Sequence, residues 1–506
     1  MPKVENEKDM ATDKEKKDKN QFKIILDSVH GYIVIPSEYC RKIVDNIYFQ
    51  RLRRIEQTSG RSLFPSAHHD RFIHSLGVYH LGCKIINVVT KELADDLLEE
   101  YKTAITSYKL SCLLHDVGHS PFSHTFEQYY GSLYCEGDEN HNLRELLAEI
   151  IDDSDTKHDI RSMVKLTEHE FMSAYIAVKI FGDTINGLEG NKELVARMIT
   201  GCKFSGDREN CFENALIDLI HGDVLDADSL DYVCRDSWAS GYNVASVDIE
   251  RLISSMRIHH VGSKFQVCFT PKALNEISKV LEIKTFQQSN VIYHHTVVYE
   301  QKLLVEAMKS AAAYHQELPS ATEKERVAAL TSICLLKSMV EPVRLKKHDI
   351  PLQHPMDDDF VSLMKYHMDD KYIKQWLSRE YQLKPLWKNT AEFYANFKKL
   401  RGKKLEKDSW IFSENCRDYI SDKFSINKDN IWIEEATPKY RSKFADRVFI
   451  LMNDKLVKYE DLLPKDRNSF YPDIQPFYYI YTTIKDKDHR QTILDELSKK
   501  VDSLFF

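Results

Sequence analysis

The sequence predicts a mainly α-helical protein, a helical core followed by a C-terminal α+β lobe, and three observations carry that prediction. Glycine supplies 16 of 506 residues, well under the usual share of about 7%. Through the first three hundred residues apolar side chains recur at helical spacing, with no strand–Gly–Pro rhythm. Beyond about residue 340 the composition changes: Asp357, Asp358 and Asp359 follow Pro351 and Pro355, and β-rich runs come at Ile431–Ile433, Arg447–Met452 and Phe477–Ile484. The expected organisation is a charged tail over 1–20, a helical core over 21–340 and the lobe over 341–506.

Residues 1–20 carry six acidic and six basic side chains and almost nothing apolar, so burial cannot offset the entropy of ordering them, and a disordered tail is expected. From Phe22 the run FKIILDSVHGYIVI reads as a β-hairpin turning at His30-Gly31. Asp70 is placed to cap a helix with Ile73, Leu76 and Leu81 on one face, and Lys102–Asp116 reads as a second helix, ended by Gly118 and Pro121. VLDADSLDYVCRD reads as a helix with Asp228, Asp231 and Tyr232 on one face and Asp236 a turn further on. Thr270-Pro271 is an N-cap and N1 pair, opening a long helix through Leu274, Ile277 and Leu281 that continues, with a break, to about Ala311. Asn453-Asp454 suits the turn of a late hairpin.

Charge and cysteine usage narrow the function classes. Seventy Lys+Arg against 78 Asp+Glu leave a net charge of −8, which gives no global footprint for nucleic acid or an anionic membrane. Lys398-Lys399, Arg401 and Lys403-Lys404 form a local basic stretch, readable as a partner site or as a solvated helix face. No run approaches about 18 consecutive apolar residues, and the N-terminus is charged, so no membrane span or signal peptide is expected and the cytoplasm is the default compartment. Ten cysteines contain no C-x-x-C pair; they are expected to be reduced, and any metal site must use His and carboxylates. Phosphate loops of the G-x-x-x-x-G-K-[ST] and G-x-G-x-x-G kinds and a G-x-S-x-G elbow are missing from the sequence, so nucleotide chemistry must run through metal and histidine.

The segment LSCLLHDVGHSPFSH places His115 and Asp116 side by side at the end of an apolar helix. Adjacent helical side chains diverge by about 100°, yet both can reach one ion beside the last turn, and the pair suits Zn, Fe, Mn or Mg. His119 and His124 follow closely, His74 lies in RFIHSLG and His169 in TEHEF. Imidazoles gathered near one carboxylate are costly to bury without a use, since each needs its N–H and its lone pair satisfied. Leu225, Leu230, Val233 and Cys234 among Asp226, Asp228, Asp231 and Asp236 tell against a purely solvated acidic face.

The ordered set FQRLRRIEQ, HHDRFIHSLG, LLHDVGHSPFSH, EHE and DADSLDYVCRD resembles the HD-domain deoxynucleoside triphosphate triphosphohydrolases, the group of bacterial dGTPases and the vertebrate SAM-and-HD-domain enzyme. The resemblance covers about residues 22–310, continues weakly through KPLWK at 384–388 and the hairpin around 447–454, and includes no SAM module. It implies that His74, His115, Asp116 and Asp228 bind one divalent ion (Fe, Zn, Mn or Mg), with Mg accompanying the nucleotide phosphates. The implied reaction is attack at the α-phosphorus of a dNTP, releasing deoxynucleoside and triphosphate, with His119 or His169 as proton donor and Glu127 orienting a histidine. Gln57 and Asp236 match positions that read the sugar 3′-hydroxyl, Tyr232 and Tyr299 those that crowd the 2′ side, and Arg71 and His124 those that face phosphate. Lys23, Asp45, Gln50 and Arg53 match a regulatory guanine-nucleotide site, so an effector and a homo-oligomer, a tetramer, are implied, together with control of dNTP pools or defence against viruses or phage.

The chain departs from the family at Ser229 and Val291, where basic phosphate contacts are usual, at Thr58 after Gln57, and at Leu26 in the effector region. Either Lys302, Arg71 and a metal compensate, or the substrate differs. The rival readings are an HD phosphohydrolase acting on a monophosphate, cyclic dinucleotide or alarmone, and a nucleotide-sensing or nucleic-acid-binding scaffold.

Overall fold

The computed structural model of the chain describes residues 21–91, 93–130, 143–164, 167–209, 211–222, 225–242, 247–261, 264–334, 337–398, 409–436, 447–463, 477–500 and 504. The charged tail over 1–20 lies outside these residues, as does the basic stretch beyond Lys398.

The chain opens with the expected antiparallel hairpin, β1 (Phe22–Asp27) and β2 (Gly31–Pro36). Alternation sends Ile33 and Ile35 into the core and leaves Phe22, Ile24, Leu26, Tyr32 and Val34 exposed. The Asp27 carboxylate closes the turn by accepting from the backbone N–H groups of Val29 and His30, and Gly31 takes the left-handed φ of 74° that the turn needs.

Four helices frame the site: α1 (Arg71–Val89), α2 (Lys102–Leu114), α3 (Glu168–Gly187) and α4 (Ala227–Ser240). Asp70 caps α1 by accepting from Ile73 N at 3.0 Å, and Asp226 caps α4 by accepting from Ser229 N at 2.6 Å. By length and composition α1 could cross a membrane, but 67% of its apolar window is buried inside the protein, as a core helix requires.

The long helix carries a break, whose position the sequence did not indicate. It runs as α5 (Leu274–Gln287), a π-turn (Gln288–Ile292) and α6 (His295–His315). Thr270 corrects one expectation: its side chain makes no capping bond, and Pro271 opens a 3₁₀ turn, Pro271–Ala273, that leads into α5.

Strands β3 (Met256–Val261) and β4 (Lys264–Phe269) form a hairpin, and Val343–Leu345 (β5) pairs with Ile350–Leu352 (β6). Lys384–Pro385 (β7), Ile431–Glu435 (β8) and Tyr478–Thr482 (β11) make a sheet in the order β7-β11-β8. The late hairpin of β9 (Phe449–Met452) and β10 (Lys455–Lys458) adds instead to β3 and β4, with β9 parallel to β4 through Phe269 and Ile450. Asn453 and Asp454 hold φ values of 50° and 61°, the left-handed pair that a two-residue hairpin turn selects.

Two apolar clusters result. The larger joins the N-terminal hairpin to α1–α5 and reaches Ile450 and Tyr459. The smaller gathers Trp387, Phe393, Trp432, Tyr478–Tyr481 and Ile493. Helix α6 serves both, giving Leu304 and Val305 to the first and Tyr299 and Leu303 to the second.

Candidate metal and catalytic site

Helix α2 ends at Leu114, and the turn that follows presents His115 and Asp116 toward His74 on α1 and Asp228 in the first turn of α4. His74 Nε2 lies 3.0 Å from Asp228 Oδ1, 3.7 Å from Asp116 Oδ2 and 3.3 Å from His115 Nε2. His115 Nε2 is 3.6 Å from Asp116 Oδ2 and 3.8 Å from Asp228 Oδ1. Ligands about 2.0–2.2 Å from a divalent ion stand about 3–3.5 Å from one another; His74, His115 and Asp116 group closely enough to hold one ion, and Asp228, the fourth residue the resemblance implies, adjoins them through His74. Asp228, with 39% of its side chain exposed, opens the group to the cleft.

The far side of each imidazole is fixed. His115 Nδ1–H donates to the Cys112 carbonyl at 3.1 Å, and His74 Nδ1–H donates to Asp231 Oδ2 at 2.7 Å. Both acceptors lack a proton to give, so each Nε2 is left with a lone pair aimed at the other ligands. Burial disfavours a charged His74, but Asp228 and Asp231 outweigh it and push its pKa up to about 10: the pocket draws positive charge, and a proton on Nε2 and a metal ion are alternatives at that atom. Asp116 is likewise held well below the usual carboxylate range, the cost of burial being overcome by Arg71 and by His115, His119 and His74.

Asp231 was grouped with Asp228 from spacing alone; its partners were not legible. Besides His74 it accepts from His30 Nε2 at 2.7 Å and from Arg235 Nε and Nη2, both at 2.8 Å, and Arg235 donates onward to Asp27 at 2.8 Å. The hairpin turn is thereby tied to a metal-facing histidine by a fully buried chain of charges. Gly77 on α1 makes room for it, since a methyl group there would overlap the Asp231 carboxylate and the Arg235 guanidinium.

A second cluster contains His119, His124 and His169, whose ring nitrogens lie within 4.8 Å of one another. Glu127 accepts from His169 Nδ1 at 2.7 Å and from His124 Nδ1 at 2.8 Å. Burial works against charge on His169, yet Glu127 and Glu170 raise its pKa above the ordinary imidazole value. Fully buried His119 stacks on His169 with ring centroids 4.7 Å apart and neither ring nitrogen hydrogen-bonded; burial first, then Arg71, pushes its pKa well below 6.5. Of the two candidate donors, then, Glu127 orients His169. Buried Arg51 braces the loop by donating to the carbonyls of His119 at 2.6 Å, Pro355 at 3.2 Å and Val117 at 3.4 Å. Gly118 lets the loop lie directly on the α3 backbone at Met172 and Ser173.

The expected substrate contacts divide. Gln57 keeps a buried Oε1 without a hydrogen-bond partner, and Asp236 accepts from His69 Nε2 at 2.8 Å, a histidine the sequence reading left unassigned. Tyr232 lines the cleft beside Asp228. Arg71, expected to face phosphate, is 3% exposed and spent on Asp116 at 2.6 Å and Ser123 Oγ at 2.8 Å, because the buried carboxylate needs a countercharge. Tyr299 is set in the lobe's aromatic core against Trp432, Tyr381 and Tyr481, its hydroxyl 3.3 Å from Gln375 Oε1. Lys302, expected to compensate for the missing phosphate contacts, pairs with Glu434 at 3.4 Å and Glu306 at 3.6 Å.

The four residues matched to a regulatory site form a surface network. Lys23 pairs with Asp45 at 3.1 Å, Arg53 donates to Gln50 Oε1 at 3.0 Å and lies over the Phe72 ring, and Gln50 donates to the Val44 carbonyl at 2.7 Å. The nine described cysteines are free thiols, as expected.

A family profile for the HD domain matches residues 71–231, the span from Arg71 to Asp231. An uncharacterized protein of Methanocaldococcus jannaschii is 24% identical over 379 residues, 74% of this chain and 67% of that protein. A Dictyostelium discoideum protein named as a deoxynucleoside triphosphate triphosphohydrolase SAMHD1 homolog is 26% identical over 300 residues, 58% of this chain and half of the relative's length. Among solved structures, a hypothetical protein of Aquifex aeolicus superposes with a TM-score of 0.58 at 21% identity, over 94% of this chain and all of that one, which is a likeness of fold.

Proposed function

We propose, from the premise that the chain is an HD-domain phosphohydrolase, that it is a metal-dependent deoxynucleoside triphosphate triphosphohydrolase. The observation that carries the reading is the convergence of His74, His115, Asp116 and Asp228 beside a Glu127–His169 pair. The similarity to a named triphosphohydrolase over 58% of the chain supports the substrate class.

A divalent ion in such a quartet supplies charge neutralisation at a phosphoryl oxygen and a more acidic water. The chain's own groups do the rest. Asp231 and the Cys112 carbonyl hold the two imidazoles in the ligating tautomer. His169, kept protonated by Glu127, gives a proton to the departing 5′-oxygen. Gln57 and Asp236 receive the 3′-hydroxyl, and Tyr232 fills the space a 2′-hydroxyl would occupy. The surface network of Lys23, Asp45, Gln50 and Arg53 is the place we assign to a nucleotide effector, acting in a homo-oligomer.

The test is product identification. Purified protein with each dNTP and a divalent metal should release deoxynucleoside and intact triphosphate on anion-exchange chromatography, and His115→Ala and Asp228→Ala should abolish both. Orthophosphate or pyrophosphate as product would refute the reading.

A further inference from the structure

We propose that His119, His124 and His169 form a second metal site, apart from the group of His74, His115, Asp116 and Asp228, and that a zinc-type ion held there takes the proton donor out of use and stops hydrolysis. The inhibition rests on the reading above of His169 as the acid; the site itself rests on geometry alone.

His119 and His124 lie in the loop that follows α2, and His169 lies in the first turn of α3. Phe122 and Ser123, both at a φ of 53°, turn that loop back on itself, a left-handed pair that residues other than glycine seldom adopt. The turn is held by the Asp357 carboxylate, which accepts from Phe122 N at 2.6 Å, and by Ser120 Oγ, which donates to the Ser123 carbonyl at 2.6 Å. His124 is thereby returned to the side of His119, and one ring nitrogen from each of the three histidines lies within 4.8 Å of the others. Ring centroids stand 5.1 Å apart for His119 and His124, 4.7 Å for His119 and His169, and 5.1 Å for His124 and His169. The corresponding distance for His74 and His115, the imidazoles of the first group, is 5.2 Å.

Each ring has a nitrogen to offer. Glu127 accepts from Nδ1 of both His124 and His169, the arrangement in which a carboxylate orients a ligating imidazole and leaves Nε2 for the ion. On His169 the ion replaces the Nε2 proton, which leaves to solvent. His119 is 0% exposed and neither of its ring nitrogens is hydrogen-bonded, a costly state for a buried imidazole that ligation relieves. Its ring lies 25° from the plane of His169 and must turn for the three nitrogens to close to the roughly 3–3.5 Å of a shared ion; turning it breaks no hydrogen bond. Three imidazoles without a carboxylate or thiolate select Zn, Cu, Ni or Co over Mg and leave a fourth position for water. The His124 side chain, 61% exposed, opens the site to solvent. Glu127 and Glu170 supply negative charge beside the rings, and the opposing cation, Arg71, is paired with Asp116 at 2.6 Å.

The experiment titrates the full-length chain with Zn²⁺ against a chromophoric chelator, and with Co²⁺ followed by visible absorption. Wild-type protein should bind two ions per chain, and excess Mg²⁺ should not displace the second. His115→Ala should leave one ion, His119→Gln should leave one, and the two changes together none. Glu127→Gln keeps all three rings and should weaken the second site about 10- to 100-fold; it serves if the His119 variant does not fold. With dNTP present, turnover should survive the first equivalent of Zn²⁺ and fall with the second, and a chelator should restore it. One ion per wild-type chain, two ions retained in folded His119→Gln, or full turnover with both sites filled overturns the proposal. Hydrolysis of dNTPs by a chain that binds only one ion would sink this inference and leave the triphosphohydrolase standing. A second, His119-dependent ion in a chain that turns over no dNTP would uphold the site and sink the proton donor's role with the function it was assigned to.

Discussion

Replacing Asp231 by asparagine separates a supporting role at the metal from simple packing. The Asp231 carboxylate is fully buried and accepts from His74, His30 and twice from Arg235. Asparagine keeps the shape but turns one oxygen into a donor, which faces donors on every side. His74 Nδ1–H then keeps at best a neutral amide oxygen in place of the carboxylate, and changes of this kind cost about 10- to 100-fold in metal affinity. Breaking a buried ion pair on one side costs about 3–5 kcal/mol, and Arg235 retains Asp27 at 2.8 Å as a second partner, so the lower end of that range is expected. Metal affinity is read by competition against a chromophoric chelator, and stability by denaturant unfolding. A variant destabilised as expected but with unchanged metal affinity would refute the link from Asp231 through His74 to the ion.

Other perturbations follow from the same geometry. His169 has its pKa raised, so it holds its proton to higher pH than a free imidazole, and activity should fall as pH rises through that raised value. Glu127→Gln removes the cause, so the basic limb of the kcat/KM profile should move to lower pH; an unmoved limb would exclude His169 as the acid. Gly77→Ala should destabilise by about 1–3 kcal/mol through overpacking and weaken metal binding as well, because the new methyl group meets Asp231; thermal melting and metal titration read the two effects. Arg51→Met removes a charged donor from the His119 carbonyl, with an expected loss of about 1.5–3 kcal/mol and a fall in kcat as His119 loses its position; wild-type kcat in a folded variant would count against the bracing role.

Local chemistry is what the sequence made legible. The Asp70 cap, the hairpin at His30-Gly31 and the turn at Asn453-Asp454 each depend on a few neighbouring residues, and each is found. His115 and Asp116 declare themselves because both sit at one helix end, and the flanking motifs brought in His74 and Asp228. What stayed hidden are partners distant in the chain. His30 and Asp231 are 201 residues apart, and Lys284 and Ser229 are 55 apart; only the packing of separate elements brings them together. Arg71 and Tyr299 show the converse: the family resemblance implied ligand contacts, but a buried carboxylate pairs with the guanidinium and an aromatic core packs around the phenol. Asp231 left one signal, a carboxylate three residues after Asp228 on a helix otherwise lined with Leu and Val.

The bond that breaks is the central claim, and hydrolysis in ¹⁸O-labelled water tests it most directly. Attack at the α-phosphorus puts one labelled oxygen into triphosphate and leaves the deoxynucleoside unlabelled, since its 5′-oxygen departs with the sugar. Mass spectrometry of the two products should find that distribution with wild-type protein and no products with Asp228→Ala. Label in orthophosphate or pyrophosphate, or in the nucleoside itself, would contradict the account.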